Sequence, residues 1–101
     1  EALTAIDVNS GKYVGETNLE STAYLVNKEA AIEIAKQLRL RDIGGIIIID
    51  FIDMHKNENK EKIIEKMKET TKLDRSKVQI EGFTKLNLME LTRKHICSNN
   101  M

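Results

Sequence analysis

A chain of 101 residues, 41% hydrophobic and 32% charged, has room for one domain and its core, and that composition excludes an intrinsically disordered polymer. The 16 Lys and Arg balance the 16 Asp and Glu, so no global field draws the chain to a polyanion, and its few aromatics, Tyr13, Tyr24, Phe51 and Phe83, form no interleaved stacking surface. No apolar run approaches the roughly 20 residues of a membrane-spanning helix, no secretion signal opens the chain, and the lone Cys97 makes no internal disulfide; the expected location is cytoplasmic.

Ala2 to Asn9 reads as a strand closed by a turn at Ser10-Gly11, and residues 12–18 as a loop. From Ser21 to Arg41, Ala23, Leu25, Val26, Ala30, Ile34, Ala35 and Leu38 recur at three- and four-residue spacing, which predicts a long amphipathic helix ended by Asp42 and Gly44-Gly45. Gly45 to Ile52 is a β-branched run, expected to be a central strand covered on both faces. A second helix is expected over Asn59 to Leu73, with Ile63, Ile64 and Met67 inward, and a third strand over Lys77 to Glu81. Leu86 to His95 fits two periods. Asn87 with Glu90 resembles a capping box and favours a helix, while the alternation of Leu86, Leu88 and Glu90 favours an edge strand; the helix is preferred. The order strand, helix, strand, helix, strand predicts a single small α/β domain with right-handed crossovers, a largely parallel sheet and flanking helices. In such sheets functional groups gather at the C-terminal ends of the strands.

Two predicted strands end on an acid there, Asp7 and Asp50. Oxygen ligands suit magnesium or manganese, and one or two carboxylates plus waters and a substrate phosphate suffice for magnesium. Such an ion polarises a phosphoryl oxygen. Strand-terminal aspartates also cap loops and helices, and that reading stands beside the first. Asn9, two residues past Asp7, shares its face if the strand persists and would hold an ordered water or a phosphate oxygen; alternatively it only starts the turn. Asp53 is a candidate to support or replace a ligand, or is the first loop residue. Lys12 after Ser10-Gly11 lacks the upstream glycine of a phosphate loop, so a single phosphate contact is all it suggests. Arg41, with Arg39, suits a helix C-terminus and equally a phosphate. His55, His95 and Cys97 have no zinc-ligand spacing.

Leu3-Thr4-Ala5-Ile6-Asp7-Val8-Asn9-Ser10-Gly11-Lys12, Asn27 with Glu29-Ala30-Ala31, Gln37 to Gly45, and Ile49-Asp50-Phe51-Ile52-Asp53-Met54 closely resemble the ribonuclease E/G family. The resemblance continues through Asp74-Arg75-Ser76-Lys77 and Glu90-Leu91-Thr92-Arg93-Lys94. It implies that residues 1–101 are one deoxyribonuclease I-like catalytic subdomain of a larger endoribonuclease that cuts single-stranded RNA, leaving a 3′-hydroxyl and a 5′-phosphate. The aspartates matching Asp7 and Asp50 bind the catalytic magnesium in that family, with manganese a substitute, and the asparagine matching Asn9 assists. The oligonucleotide-binding barrel, the 5′-end sensing region and the cysteine pair of the family's zinc-linked dimer contact find no match in this stretch, so no zinc is expected here. A homo-oligomer is expected of the parent protein. Asn87 stands where the family often has glycine. Because the RNA-gripping surface would reside elsewhere, the expectation is a stretch that folds, binds magnesium weakly and cleaves RNA poorly or not at all alone. The competing reading is a structural or assembly module whose strand-end carboxylates are not catalytic. A small phosphoacceptor domain is disfavoured, since no lysine follows the third strand at a fitting position.

Overall fold

The computed structural model describes residues 2–8 and 19–96. The elements are β1 (Leu3–Asp7), α1 (Glu20–Leu40), β2 (Gly45–Asp50), α2 (Asn57–Thr71), β3 (Val78–Phe83) and β4 (Met89–Arg93). Each expected element through β3 is present, with ends shifted by at most two residues.

The sheet order is β1-β2-β4-β3. Among the described strands only β1 and β2 pair in parallel; β2 with β4 and β4 with β3 are antiparallel. The expected largely parallel sheet is therefore corrected to a mixed one, because the last strand enters between β2 and β3 instead of adding a helix to the edge. The helix preferred for Leu86 to His95 is corrected with it. Residues 84–88 form a turn in which the Thr84 hydroxyl accepts the N–H groups of Leu86 and Leu88, and Asn87 takes a left-handed φ of 66°. Asparagine tolerates that conformation, as glycine does. From there Met89, Leu91 and Arg93 alternate inward with period two, so burial overrides the local capping pattern.

Both helices cover one face of the sheet. Ala31, Ile34 and Leu38 of α1 and Ile63 and Met67 of α2 form one core with Ile47, Ile49, Met89 and Leu91 of the inner sheet face. Inner positions of β3 step from Val78 and Ile80 to Phe83 across a register shift at Ile80/Gly82, which keeps Phe83 on the core side, 6.2 Å from the Phe51 ring. The other face is open. Leu3 is 65% exposed and Ala5 is exposed, while Ile46 and Ile48 are half-buried by their strand neighbours. Coverage of β2 on both faces is thus corrected to one.

α1 closes in a Schellman arrangement. The Ile43 N–H donates to Leu38 O and the Asp42 N–H to Arg39 O, while Asp42 sits at φ 49°. An aspartate in that conformation is offset by its side chain, which accepts from Arg93 Nη1 at 2.9 Å and from the Ile96 N–H at 3.0 Å. Gly45, at φ 94°, then brings β2 against the start of β1, where an added Cβ would meet Ala2 O at 2.6 Å. Among the described residues no helix is long and apolar enough to cross a membrane.

Candidate active site

β1 and β2 run in parallel with Leu3 opposite Ile46, and that register carries through to Asp7 opposite Asp50. The Val8 N–H donates to Asp50 O at 2.9 Å, which ties the chain just past Asp7 to the end of β2. Ile47 and Ile49 point into the core, so alternation sends Asp50 to the open face, and its parallel partner Asp7 leaves from the same face. Neighbouring strands lie about 4.8 Å apart, a spacing at which two carboxylates repel unless something positive joins them. Asp7 is exposed and Asp50 half-buried. Burial, and then the charges of Asp7 and Asp53, raise the Asp50 carboxyl above its usual range. Asp53 is exposed in the segment that follows β2, near enough to act on Asp50 through its charge.

The structure thus brings Asp7, Asp50 and Asp53 together at one edge. Asn9 and Lys12 lie outside the described residues, as does Cys97. Arg41 is elsewhere. It is the C-cap of α1, at the entry of β2, its Nε donating to Gln37 Oε1 at 3.0 Å. The six residues of β2, at about 3.3 Å per residue, separate the two ends by roughly 17 Å. Arg39, Arg41, Lys72, Arg75, Lys77 and Lys94 all sit at the edge where both helices end and β2 and β3 begin, opposite the carboxylates. Arg75, Ser76, Lys77, Lys94, His95 and Ile96 line a groove of about 430 Å³ there.

Among the described residues no group of three His, Cys, Asp or Glu side chains is arranged to hold a metal. The donor set at the acidic edge is two register-paired carboxylates. That fits an ion such as magnesium, which keeps most of its waters and takes the remaining ligands from one or two carboxylates and a phosphate.

Three side chains, two beside the site and one at the far end of the sheet, escaped the sequence reading as structural roles. Asn27 is fully buried on α1 and makes two bonds to Ile52, its Nδ2 donating to Ile52 O at 2.8 Å and its Oδ1 accepting from the Ile52 N–H at 2.9 Å. A signal existed: Ala23, Asn27, Ala31, Ile34 and Leu38 form one helical stripe with a single polar member. Glu20 accepts from the His55 and Lys56 N–H groups and from Asn59 Nδ2 at 2.8 to 3.1 Å, so it caps the N-terminus of α2 from the start of α1. These bonds, the His55 N–H first, lower its carboxyl to about 2. Nothing local in the sequence announces a cap from 35 residues away. The third is Arg93, with no side-chain exposure, which forks onto Asp74 through Nε at 2.8 Å and Nη2 at 3.0 Å and reaches Asp42 through Nη1 at 2.9 Å. Burial pushes the Asp74 carboxyl up, but the bonds from Arg93 and the Ser76 N–H, with the charges of Arg93 and Arg39, bring it below its usual range.

These observations define a class: a two-layer α/β unit that presents a carboxylate pair where its parallel strands end. The model of the Ribonuclease E/G family matches residues 1–96. Ribonuclease G of Salmonella typhimurium is 47% identical over 94 residues, which is 93% of this chain and 19% of that protein. Ribonuclease E of Synechocystis sp. is 49% identical over 94 residues, 93% of this chain and 14% of that protein. Ribonuclease E of Buchnera aphidicola is 44% identical over 99 residues, 98% of this chain and 10% of that protein. The chain belongs to the ribonuclease E/G family, as the resemblance implied, and spans about a fifth or less of the length of these relatives.

Proposed function

We propose that residues 1–101 are the catalytic subdomain, of deoxyribonuclease I-like type, of an endoribonuclease that hydrolyses phosphodiester bonds of single-stranded RNA with magnesium. The observation that carries the reading is the register of Asp7 with Asp50 at the exit of the one parallel strand pair, in a chain of this family. A bound magnesium ion supplies polarisation of the phosphoryl group and charge stabilisation as it reacts. Asp7 and Asp50 would hold the ion. The raised Asp50 carboxyl fits that role, since a group that resists ionising beside two other acids is relieved by a cation. Asp53 adds negative charge from the adjoining segment, and Asn9 and Lys12 are proposed to meet the phosphate or an ordered water. Arg41 and its cationic neighbours, remote from the carboxylates, would contact phosphates further along the strand.

The test is a manganese titration of the chain, read as paramagnetic broadening of backbone amide signals in the wild type, Asp7→Asn and Asp50→Asn. Broadening centred on Ile6 to Val8 and Ile49 to Asp53, reduced at least tenfold in apparent affinity by either substitution, supports the reading. Indifference to manganese together with concentration-dependent self-association favours the assembly module instead. Cleavage of single-stranded RNA by the isolated chain at the rate of a full-length relative would contradict the dependence on segments outside it.

A further inference from the structure

After Asp50 the chain leaves the sheet. Among the described residues the bond from Val8 N–H to Asp50 O is the last on the β1 side, and the ladder with β4 stops at Ile49 opposite Met89. Two of the residues that follow nevertheless stay inside, Phe51 and Met54, each 2% exposed. Ile52 lies between them, half-buried, and among the described residues its peptide N–H and C=O pair with no strand. Buried backbone groups demand partners. Asn27 meets both with a two-bond ring at 2.8 and 2.9 Å, doing for this peptide what a neighbouring strand would do. Three residues on, Glu20 binds the His55 and Lys56 N–H groups. Helix α1 therefore grips the β2–α2 connection at two points, and Asp53 lies between the grips.

We infer that Asn27 is a positioning residue for the acidic edge: by clamping both polar groups of Ile52 it sets where Asp50 and Asp53 stand relative to Asp7. The inference rests on the reading of Asp7 and Asp50 as an ion-holding pair. Asparagine is the side chain that suits the position. It presents one donor and one acceptor in the plane of an amide, matching a peptide group. Aspartate would keep the bond from the Ile52 N–H and set a carboxylate against Ile52 O, and alanine would leave both groups unpaired. The clamp is one residue from Asp53 and two from Asp50, so a displacement at Ile52 reaches both carboxylates directly. Angstrom-scale shifts of this kind matter where groups must converge on one ion or one phosphate. Core packing alone does not call for this residue, since an apolar side chain would continue the stripe of Ala23, Ala31, Ile34 and Leu38.

The experiment compares the wild type with Asn27→Ala, Asn27→Asp and Met67→Ala, using manganese alone as the probe. Met67 is fully buried in the second half of α2 and makes neither of the clamp's bonds, so it reports what general loosening does. Amide shifts and hydrogen exchange are read in parallel with manganese affinity. The expected result is at least a tenfold loss of affinity in both Asn27 variants, faster exchange at Ile52, and shift changes concentrated in residues 49–54, with Met67→Ala within twofold of the wild type. Affinity unchanged in both Asn27 variants, or lost equally in Met67→Ala, overturns the inference. Should Asn27→Ala fail to fold, Asn27→Asp decides alone. If the wild type shows no manganese site, the reading of the pair falls by itself, and the amide data still judge the clamp. Shifts confined to residues 49–54 sustain it as a backbone determinant, and their absence refutes it.

Discussion

Arg93→Met removes the fully buried guanidinium at the base of the sheet while keeping much of the length and apolar stem of the side chain. In the wild type, Nε and Nη2 fork onto Asp74 at 2.8 and 3.0 Å, and Nη1 serves Asp42 at 2.9 Å and the Ile43 carbonyl at 3.1 Å. The Asp74 side chain is 2% exposed and that of Asp42 27%, so the substitution strands one carboxylate in the interior and leaves the other able to reach water. Breaking a buried pair from one side costs about 3–5 kcal/mol, a large share of the roughly 5–15 kcal/mol that holds a domain of this size. The cost has a ceiling, because Asp74 without its guanidinium escapes the penalty by taking up a proton. The loss is therefore larger at pH 8 than at pH 5. Urea unfolding followed by far-ultraviolet circular dichroism at both pH values measures it. Arg93→Met combined with Asp74→Leu, which removes both charges, should regain most of the loss. A single-variant loss below about 1 kcal/mol, or a double variant no more stable than Arg93→Met, would refute the reasoning.

Glu20 gives a pH signature. Its carboxyl falls from 4.5 to about 2 on folding, so the native state favours the ionised form, and the stability it contributes is complete above about 4.5 and is lost as pH falls through about 2. Glu20→Gln should lower the melting temperature at pH 7 and converge on the wild type in that acid window; a pH-independent difference would show that the cap does not work through charge. At Asn87, whose φ is 66°, Asn87→Val should cost about 1–2 kcal/mol in thermal unfolding, whereas Asn87→Gly should be neutral or slightly stabilising. Equal effects of glycine and valine would exclude backbone conformation as the cause.

Where sequence legibility ended follows from physical distinctions. The long helix, the apolar strand and the second amphipathic helix carry strong local periodicities, and the terminal acids of β1 and β2 stand out because each interrupts an apolar run. Their register is tertiary, but it follows once the two strands are adjacent and parallel. The β4 segment carried two conflicting local signals, and only the pairing of Met89, Leu91 and Arg93 with β2 and β3 decides between them. Arg93 itself is hidden because arginine is ordinarily exposed, and its partners lie 19 and 51 residues away. The continuous Ile46–Ile49 run read as two-sided burial. Half-buried residues on the open face of a central strand produce the same apolar string, shielded there by Leu3 and Ala5 on one side and Glu90 and Thr92 on the other.

The strand order also dictates when the domain can come into being. A chain made N-terminus first delivers β1, α1 and β2, the elements of the parallel pair, and then α2 and β3. At that moment β3 has no ladder to join, since its only strand partner is β4. The two halves of the sheet stay separate until Met89–Arg93 emerge and slide between them, carrying in the guanidinium that ties Asp42 to Asp74. Residue 93 thus closes the sheet in time as well as in space: a chain that has reached only Phe83 holds β1, β2 and β3 but lacks the strand that joins them.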